Sequence, residues 1–145
     1  MPNLPTCSLP TCNVLLLTAY FPPDTGSAAH LFYELGTALV RRGHRVSVVT
    51  SLPAYHAQGP LERYRGRRSL REVVNGMQVW RVAVPQLPRQ VMVARGVWQF
   101  LEALAFLWPA LRLPPHDLAM VYSPPLPLGL TAWALQSRRG TPFVL

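Results

Sequence analysis

An unbroken apolar run at residues 14–17, Val-Leu-Leu-Leu, constrains the fold more than any other part of the sequence. A run of this kind is typical of a strand that is buried on both faces of a parallel sheet, because a half-exposed strand alternates apolar and polar residues. Turn-forming residues follow at positions 20–26 and end in Gly26. The sequence therefore predicts a first strand whose carboxyl end leads through a loop into a helix.

The segment after Gly26 has the spacing of an amphipathic helix. Leu31 and Leu35 lie four residues apart on one apolar face, and Ser27 is the expected N-cap residue. Valines then predict a second strand at residues 46–50. Residues 13–50 thus form one strand–helix–strand crossover, which is right-handed in nearly all proteins.

Strands and helices continue to alternate over the rest of the chain. The predicted order is an exposed Arg-, Gly- and Pro-rich excursion (51–75), a strand (77–84), an apolar helix (91–113), a strand (117–122), a helix (126–137) and the start of another strand (142–145). This alternation predicts an open, mostly parallel α/β sheet of the Rossmann-like kind, with helices on both faces. The Pro-rich leader, residues 1–12, is expected to be disordered and to contribute no disulfide from its two cysteines.

The chain is strongly basic, with 14 basic residues against 6 acidic ones and a net charge of +8. Every Lys or Arg position is arginine, which fits either a coding bias or a preference for phosphate ligands. The second interpretation follows because a guanidinium group forms two parallel hydrogen bonds with one phosphate. A diphosphate ligand and an anionic membrane surface are therefore the expected anionic partners. Nucleic acid is not expected, because no helix interleaves arginine with aromatic residues and no zinc-finger or RNA-binding signature occurs.

The loop before the first predicted helix offers a place for a phosphate group. Ligands of such sheets bind at the carboxyl ends of the strands, and Gly26 lets a ligand approach the backbone without a Cβ in the way. Ser27 places its backbone N–H at a helix N-terminus, which favours phosphate, although a glycine in such a turn is also often structural. Asp24 in the same loop either acts on a substrate hydroxyl or caps the turn.

Four further residues are candidates for ligand contacts at the strand ends. His30 lies one turn into the helix, where it either faces the ligand crevice at the carboxyl ends of the strands or packs on the sheet. Tyr55 and His56 follow the second strand, and an aromatic ring beside a histidine suits a sugar, or else anchors the loop. Ser123 ends the fourth strand, where it either contacts the acceptor or forms the turn. The histidines form no set with metal-ligand spacing, so no metal is expected.

These segments resemble a known family. Residues 14–43 (VLLLTAYFPPDTGSAAHLFYELGTALVRRG), 44–50 (HRVSVVT) and 52–56 (LPAYH) are similar to the opening of bacterial glycosyltransferase family 4 enzymes. The similarity is greatest to the subgroup that builds O-antigen, capsule and colanic acid sugars on a lipid carrier. Residues 123–145, from SPPLPLGL to RRGTPFVL, fit the same group, whereas residues 51–113 match more in layout than in sequence.

The resemblance implies a retaining glycosyltransferase with two facing Rossmann-like domains, the GT-B architecture. Its donor would be a nucleotide-diphosphate sugar, with no obligatory metal or other cofactor. Gly26 and the backbone of Ser27 would face the donor diphosphate, and the rest of this domain would bind a lipid-linked glycan acceptor. Because the leaving phosphate deprotonates the acceptor in such enzymes, no protein nucleophile or catalytic residue is assigned.

A lipid-linked acceptor gives the long apolar helix two interpretations. Glu102 and Pro109 interrupt it, and a membrane span needs about 20 consecutive apolar residues, so it either packs inside the protein or lies partly in the membrane interface. In the second case Trp98 and Phe106 are expected to leave the packed face, with the arginines of residues 63–71 nearby. The leader lacks the features of a signal peptide, so a cytoplasmic location, peripheral on the inner membrane face, is expected.

The sequence stops inside an apolar segment, residues 142–145. Domain termini usually lie at surfaces, and a bare strand edge leaves backbone groups without partners. Residues 13–145 are therefore expected to be an incomplete N-terminal domain that is inactive by itself, with the donor domain absent. The alternative is a self-sufficient α/β module that binds a nucleotide or a partner without transfer chemistry.

Overall fold

The computed structural model describes residues 10–53, 57–85, 92–123 and 126–145. The elements within these ranges alternate as the sequence predicts, with a short 3-10 turn at Glu62–Tyr64. They are β1 (Asn13–Leu17), α1 (Ser27–Arg41), β2 (Arg45–Ser51), β3 (Ser69–Val74), β4 (Met77–Val82), α2 (Met92–Arg112), β5 (Leu118–Val121), α3 (Leu128–Arg139) and β6 (Phe143–Val144).

The strands form one sheet in the order β3-β4-β2-β1-β5-β6. Neighbouring strands run parallel except for β3, which is antiparallel to β4. In the middle of the sheet Leu16 lies opposite Val48 on one side and Met120 on the other. The predicted open, mostly parallel Rossmann-like α/β sheet is confirmed.

Helices cover both faces of the sheet, and alternate residues of β1 explain why. Leu15 and Leu17 point into a core formed with α2 and α3, while Val14 and Leu16 point into a second core formed with α1. Each fully buried side chain of this size contributes about 1.5–3 kcal/mol. The unbroken apolar run of β1 is therefore the consequence of two cores that share one strand.

Helix α1 begins one residue earlier than predicted and lies very close to the sheet. Gly26, not Ser27, is the N-cap residue, because the chain is still extended at Gly26 (φ 159°, ψ 158°). Among the described residues no side chain makes an N-cap hydrogen bond to the helix. At Gly36 an added Cβ would lie 2.3 Å from the Met77 sulfur and 3.2 Å from a methyl group of Leu16. Glycine at this position is what allows the helix to pack this closely.

Strand β3 corrects the prediction that residues 51–75 form only an exposed excursion. Its six residues pair with β4 through a two-residue connection, Asn75 and Gly76. Both connecting residues have positive φ, 47° and 81°. Asn-Gly favours this hairpin geometry because both residues tolerate the left-handed region. The hairpin adds an antiparallel edge to the sheet.

Helix α2 is oriented differently from the prediction for an interfacial helix. Phe106 is fully buried in the core beneath α2 and α3, so the prediction that it leaves the packed face is wrong. Trp98 is half-buried. The exposed apolar face consists of other residues: Val93, Val97, Phe100, Leu104 and Trp108. None of the helices in the described ranges is long and apolar enough to cross a membrane.

Candidate functional site

The carboxyl ends of four parallel strands, β1, β2, β4 and β5, meet at one edge of the sheet. Backbone hydrogen bonds hold these ends together: the Thr18 N–H donates to the Val49 carbonyl at 3.2 Å, and the Tyr122 N–H donates to the Leu17 carbonyl at 2.9 Å. Residues 18–26, the crevice loop, leave β1 at this edge and lead into α1. The geometry therefore gathers the strand ends where ligands of such sheets bind.

Gly26 lies at the end of the crevice loop, with open space around it. It is exposed, and an added Cβ would meet no atom within 4 Å. Its carbonyl accepts the His30 N–H at 3.1 Å, which closes the first turn of α1. The first N–H groups of a helix have no intrahelical partner, and no N-cap hydrogen bond from a side chain of the described residues is present at α1. Gly26 and the exposed Ser27 thus offer backbone donors to an anion.

The crevice loop is fixed to the elements beside it. The Ser51 hydroxyl at the end of β2 donates to the Ala19 carbonyl at 2.6 Å. The Gln58 N–H donates to the Pro23 carbonyl at 3.1 Å, and Asp24 forms a backbone bridge with Ala57. Asp24 is only 7% exposed, which favours its role in the turn over a role at an open crevice. The loop is therefore held before any ligand arrives.

An ionic network that includes the fully buried Arg81 contacts the crevice loop and was not predicted from the sequence. Arg81 on β4 is 0% exposed, and its Nε donates to a Glu72 carboxylate oxygen at 2.5 Å. An η-nitrogen of Arg81 donates to the carbonyl of Pro22 in the loop. The other Glu72 oxygen accepts from Arg63 at 2.5 Å. A hydrogen bond with Tyr64, assisted by the charge of Glu72, raises the pKa of Arg63 above its ordinary value.

The structure places the remaining predicted site residues as follows. His30 is exposed on α1, so it does not pack on the sheet. Ser123 is half-buried next to Tyr122, whose ring lies edge-on against Phe32 of α1 with 5.6 Å between ring centres. The end of β5 and the second turn of α1 are thus brought together. Tyr55 and His56 lie outside the described residues, and their role stays a prediction.

Away from the crevice loop, the described part of the chain has a cavity but no metal cluster. No three His, Cys, Asp or Glu side chains within it are grouped so that they could hold a metal ion. The cavity, of about 370 Å³, lies at the opposite edge, where the strands begin, and His44, Arg45 and His116 contribute to its lining. Burial, reinforced by the positive charge of Arg139, lowers the pKa of His116 to about 4.

Two solved structures share the fold. They are the C-terminal domain of the PF1911 hydrogenase from Pyrococcus furiosus in two forms, with TM-scores of 0.55 and 0.56 and 16% sequence identity. The alignments cover 94% of this chain and 93% and 94% of those chains. At this identity the similarity shows the α/β fold alone.

Sequence comparisons identify the family. The chain is 31% identical over 90 residues to a subunit of the phosphatidylinositol N-acetylglucosaminyltransferase of Homo sapiens, and those residues are 62% of this chain and 15% of that protein. This chain thus matches only a small part of the human relative. Residues 25–145 match the family described as "Glycosyl transferase 4-like domain". Since this match covers most of the sequence, the chain belongs to the glycosyl transferase 4-like domain family.

Proposed function

We propose that the chain is the acceptor-side domain of a retaining glycosyltransferase that uses a nucleotide-diphosphate sugar. The observation that carries the proposal is the crevice loop, which places an exposed Gly26 and the uncapped start of α1 at the carboxyl edge of the sheet. Membership in the glycosyl transferase 4-like domain family supports glycosyl transfer. The domain of such an enzyme that binds the donor sugar nucleotide would lie outside these residues.

The start of α1 suits one side of a diphosphate. A helix N-terminus carries roughly half a positive charge, and its free N–H groups donate to phosphate oxygens. During transfer the bond between the sugar C1 and the diphosphate oxygen breaks, and a bond from C1 to the acceptor oxygen forms on the same face. The acceptor proton passes to the leaving diphosphate. Gly26 and the N–H of Ser27 would stabilise the charge that develops on this leaving group.

The acceptor would lie along the same edge. His30, exposed one turn into α1, and Ser123, at the end of β5, are the described candidates for its hydroxyl contacts. Tyr55 and His56 are candidates by sequence. The name of the human relative includes phosphatidylinositol, which supports a lipid-linked acceptor here too. On the basis of the sequence resemblance described above, we propose that the acceptor is a lipid-linked glycan used in cell-surface polysaccharide synthesis of the O-antigen or capsule type.

A lipid-linked acceptor requires contact with a membrane surface, and α2 and α3 present a face that fits. Apolar side chains are exposed on both helices: Phe100, Leu104, Trp108, Leu130 and Trp133. Arg112 stacks on the Trp108 ring at 4.5 Å, and Arg71 stacks on Trp80, whose ring contacts Trp108. Apolar side chains beside arginine suit the interface of an anionic bilayer. This apolar face replaces Trp98 and Phe106 in the membrane hypothesis.

A transfer assay tests the proposed function. The enzyme that contains this chain together with its donor-binding domain is incubated with UDP-, GDP- and dTDP-activated sugars and a bacterial lipid extract, and the lipids are analysed by mass spectrometry and by NMR of the anomeric proton. We expect one donor to yield a lipid that is heavier by one sugar residue and has the anomeric configuration of the donor. Nucleotide binding without any sugar product would contradict the proposal and favour the binding module instead.

Vesicle sedimentation tests the membrane contact. Vesicles of phosphatidylcholine and phosphatidylglycerol should bind the chain, and the double substitution Phe100→Ser and Leu104→Ser should weaken binding by at least about tenfold, because two apolar side chains no longer enter the interface. The matched control is Leu31→Ser on α1, which is exposed to a similar degree, 58% against 57% for Phe100. Equal effects of the two changes would contradict the assignment of this face.

A further inference from the structure

Arg81 is a charged side chain inside the protein, at the carboxyl end of β4. It is 0% exposed, and it lies on the sheet face that packs against α1, two residues after the buried Val79. Its guanidinium carbon lies 5.8 Å from the centre of the Phe21 ring and 5.4 Å from the centre of the Tyr64 ring. A cation in such a place needs an explanation, because burying a charge costs several kcal/mol before its partners offset it.

Stability alone does not account for Arg81. Well-packed apolar side chains in place of a buried ion pair are often neutral or stabilising. Moreover, one η-nitrogen of Arg81 has no hydrogen-bond partner among the described residues. The protein therefore retains a buried cation that does not use all of its hydrogen-bond donors. The reason for its presence is to be sought in the contacts of the other two nitrogens.

Those other nitrogens connect two separate parts of the chain. One donates to Glu72 on β3, and one donates to the carbonyl of Pro22, which is 59 residues away in sequence. Pro22 lies in the crevice loop, four residues before Gly26. Glu72 is itself held by Arg63. A chain of charge-assisted contacts thus runs from the β3–β4 hairpin to the loop that presents Gly26.

We propose that Arg81 is a positioning residue for the crevice loop. Held by Glu72, it fixes Pro22 and thereby sets where Gly26 and the first turn of α1 meet a nucleoside diphosphate. The identity of this ligand rests on the proposed function, whereas the fixing of the loop does not. The antiparallel β3–β4 hairpin, an addition to the parallel sheet, then serves to anchor this cation at the site.

Three variants of the enzyme that contains this chain test the proposal. Arg81→Met removes the charge and both bonds, Arg81→Lys keeps the charge with a single donor group, and Arg139→Met is the control. Arg139 also donates to two backbone carbonyls, but these belong to Leu111 and Leu113 at the end of α2 rather than to the crevice loop. The Michaelis constant for the nucleotide sugar should rise about tenfold to a hundredfold in Arg81→Met, since small displacements of a binding group are this costly. It should rise less in Arg81→Lys and stay unchanged in Arg139→Met.

A second readout needs no donor. Amide hydrogen exchange at residues 24–30 should accelerate in Arg81→Met, while exchange in β1 and β5 stays as in the unmodified protein. A purely structural role would instead accelerate exchange throughout the sheet and lower kcat without raising the donor Michaelis constant, and that result would overturn the proposal. If Arg81→Met does not fold, the same two measurements on Arg81→Lys and on Glu72→Gln test the proposal. Glu72→Gln retains an acceptor oxygen.

The two readouts separate this proposal from the proposed function. If no nucleotide sugar is turned over by the unmodified enzyme that contains this chain but exchange at residues 24–30 responds as expected, the function is wrong and the positioning role stands. If transfer occurs and neither exchange at these residues nor the donor Michaelis constant responds to Arg81→Met or Arg81→Lys, the positioning role is wrong.

Discussion

Two phenylalanines on helix α2 allow a sharp test of which face of that helix is buried. Phe106 is 0% exposed in the core shared by β1, β5 and α3, whereas Phe100 is 57% exposed. The substitutions Phe106→Ala and Phe100→Ala remove the same atoms from the same helix. They therefore differ only in the surroundings of the ring.

The expected magnitudes follow from burial. Truncation of a buried phenylalanine to alanine costs about 3–5 kcal/mol, because the transfer free energy is lost and a cavity remains. A substitution at an exposed position usually changes stability by less than about 0.5 kcal/mol. For a domain of this size 1 kcal/mol corresponds to about 3 °C in Tm, so Phe106→Ala should lower Tm by about 10–15 °C.

Thermal unfolding followed by far-ultraviolet circular dichroism measures both variants, with urea unfolding as a check on the free energy. Phe106→Ala should lose a substantial fraction of the stability of the protein, since the total is about 5–15 kcal/mol. Phe100→Ala should unfold within about 2 °C of the unmodified chain. Similar losses for the two variants, or a larger loss for Phe100→Ala, would refute the orientation of α2 and with it the apolar face proposed for the membrane.

Two further predictions concern a histidine and two glycines. Since the pKa of His116 is lowered to about 4, the folded protein keeps this histidine neutral while the unfolded chain protonates it near pH 6.5. The free energy of unfolding, measured by urea titration, should therefore fall by about 2 kcal/mol between pH 6.5 and 4. A His116→Gln variant that shows the same fall would contradict this. Gly36→Val should destabilise by about 2 kcal/mol or more, because its Cβ meets Met77. Gly96→Ala in α2, where a Cβ meets nothing within 4 Å, should stabilise by up to about 1 kcal/mol, and calorimetry that reverses this order would contradict the packing of α1.

Local patterns were sufficient to predict the central sheet. The unbroken apolar run of β1 and the valines of β2 indicate strands buried on both faces, and the structure pairs these strands in parallel. Strand β3 was not predicted although Asn75 and Gly76 carry a hairpin signal, because arginine and glycine dominate the surrounding segment. The carboxyl edge and Gly26 could be located from strand ends, since the topology alone decides which loops meet.

Two features could not be predicted from local sequence. Helix α2 carries apolar residues on most of its surface, so spacing alone does not distinguish the face of Phe106 from the face of Phe100; only the packing of α3 decides. Arg81 could be recognised as a charge on a strand face that it shares with Val79. Its partner Pro22 is distant in sequence, however, and the contact depends on the path of the crevice loop.

The central claim, that the crevice loop holds the diphosphate of a nucleotide sugar, is tested most directly by two substitutions at Gly26. Any side chain is strained at Gly26, whose φ is 159°, but Asp and Asn are nearly equal in size, so Gly26→Asp and Gly26→Asn disturb the start of α1 alike and differ in charge. At about 5 Å from a phosphate charge, the added carboxylate costs about 3 kcal/mol at an effective dielectric constant of about 20. We expect a donor Michaelis constant at least about tenfold higher for Gly26→Asp than for Gly26→Asn in the enzyme that contains this chain. Equal values for the two variants would contradict the claim.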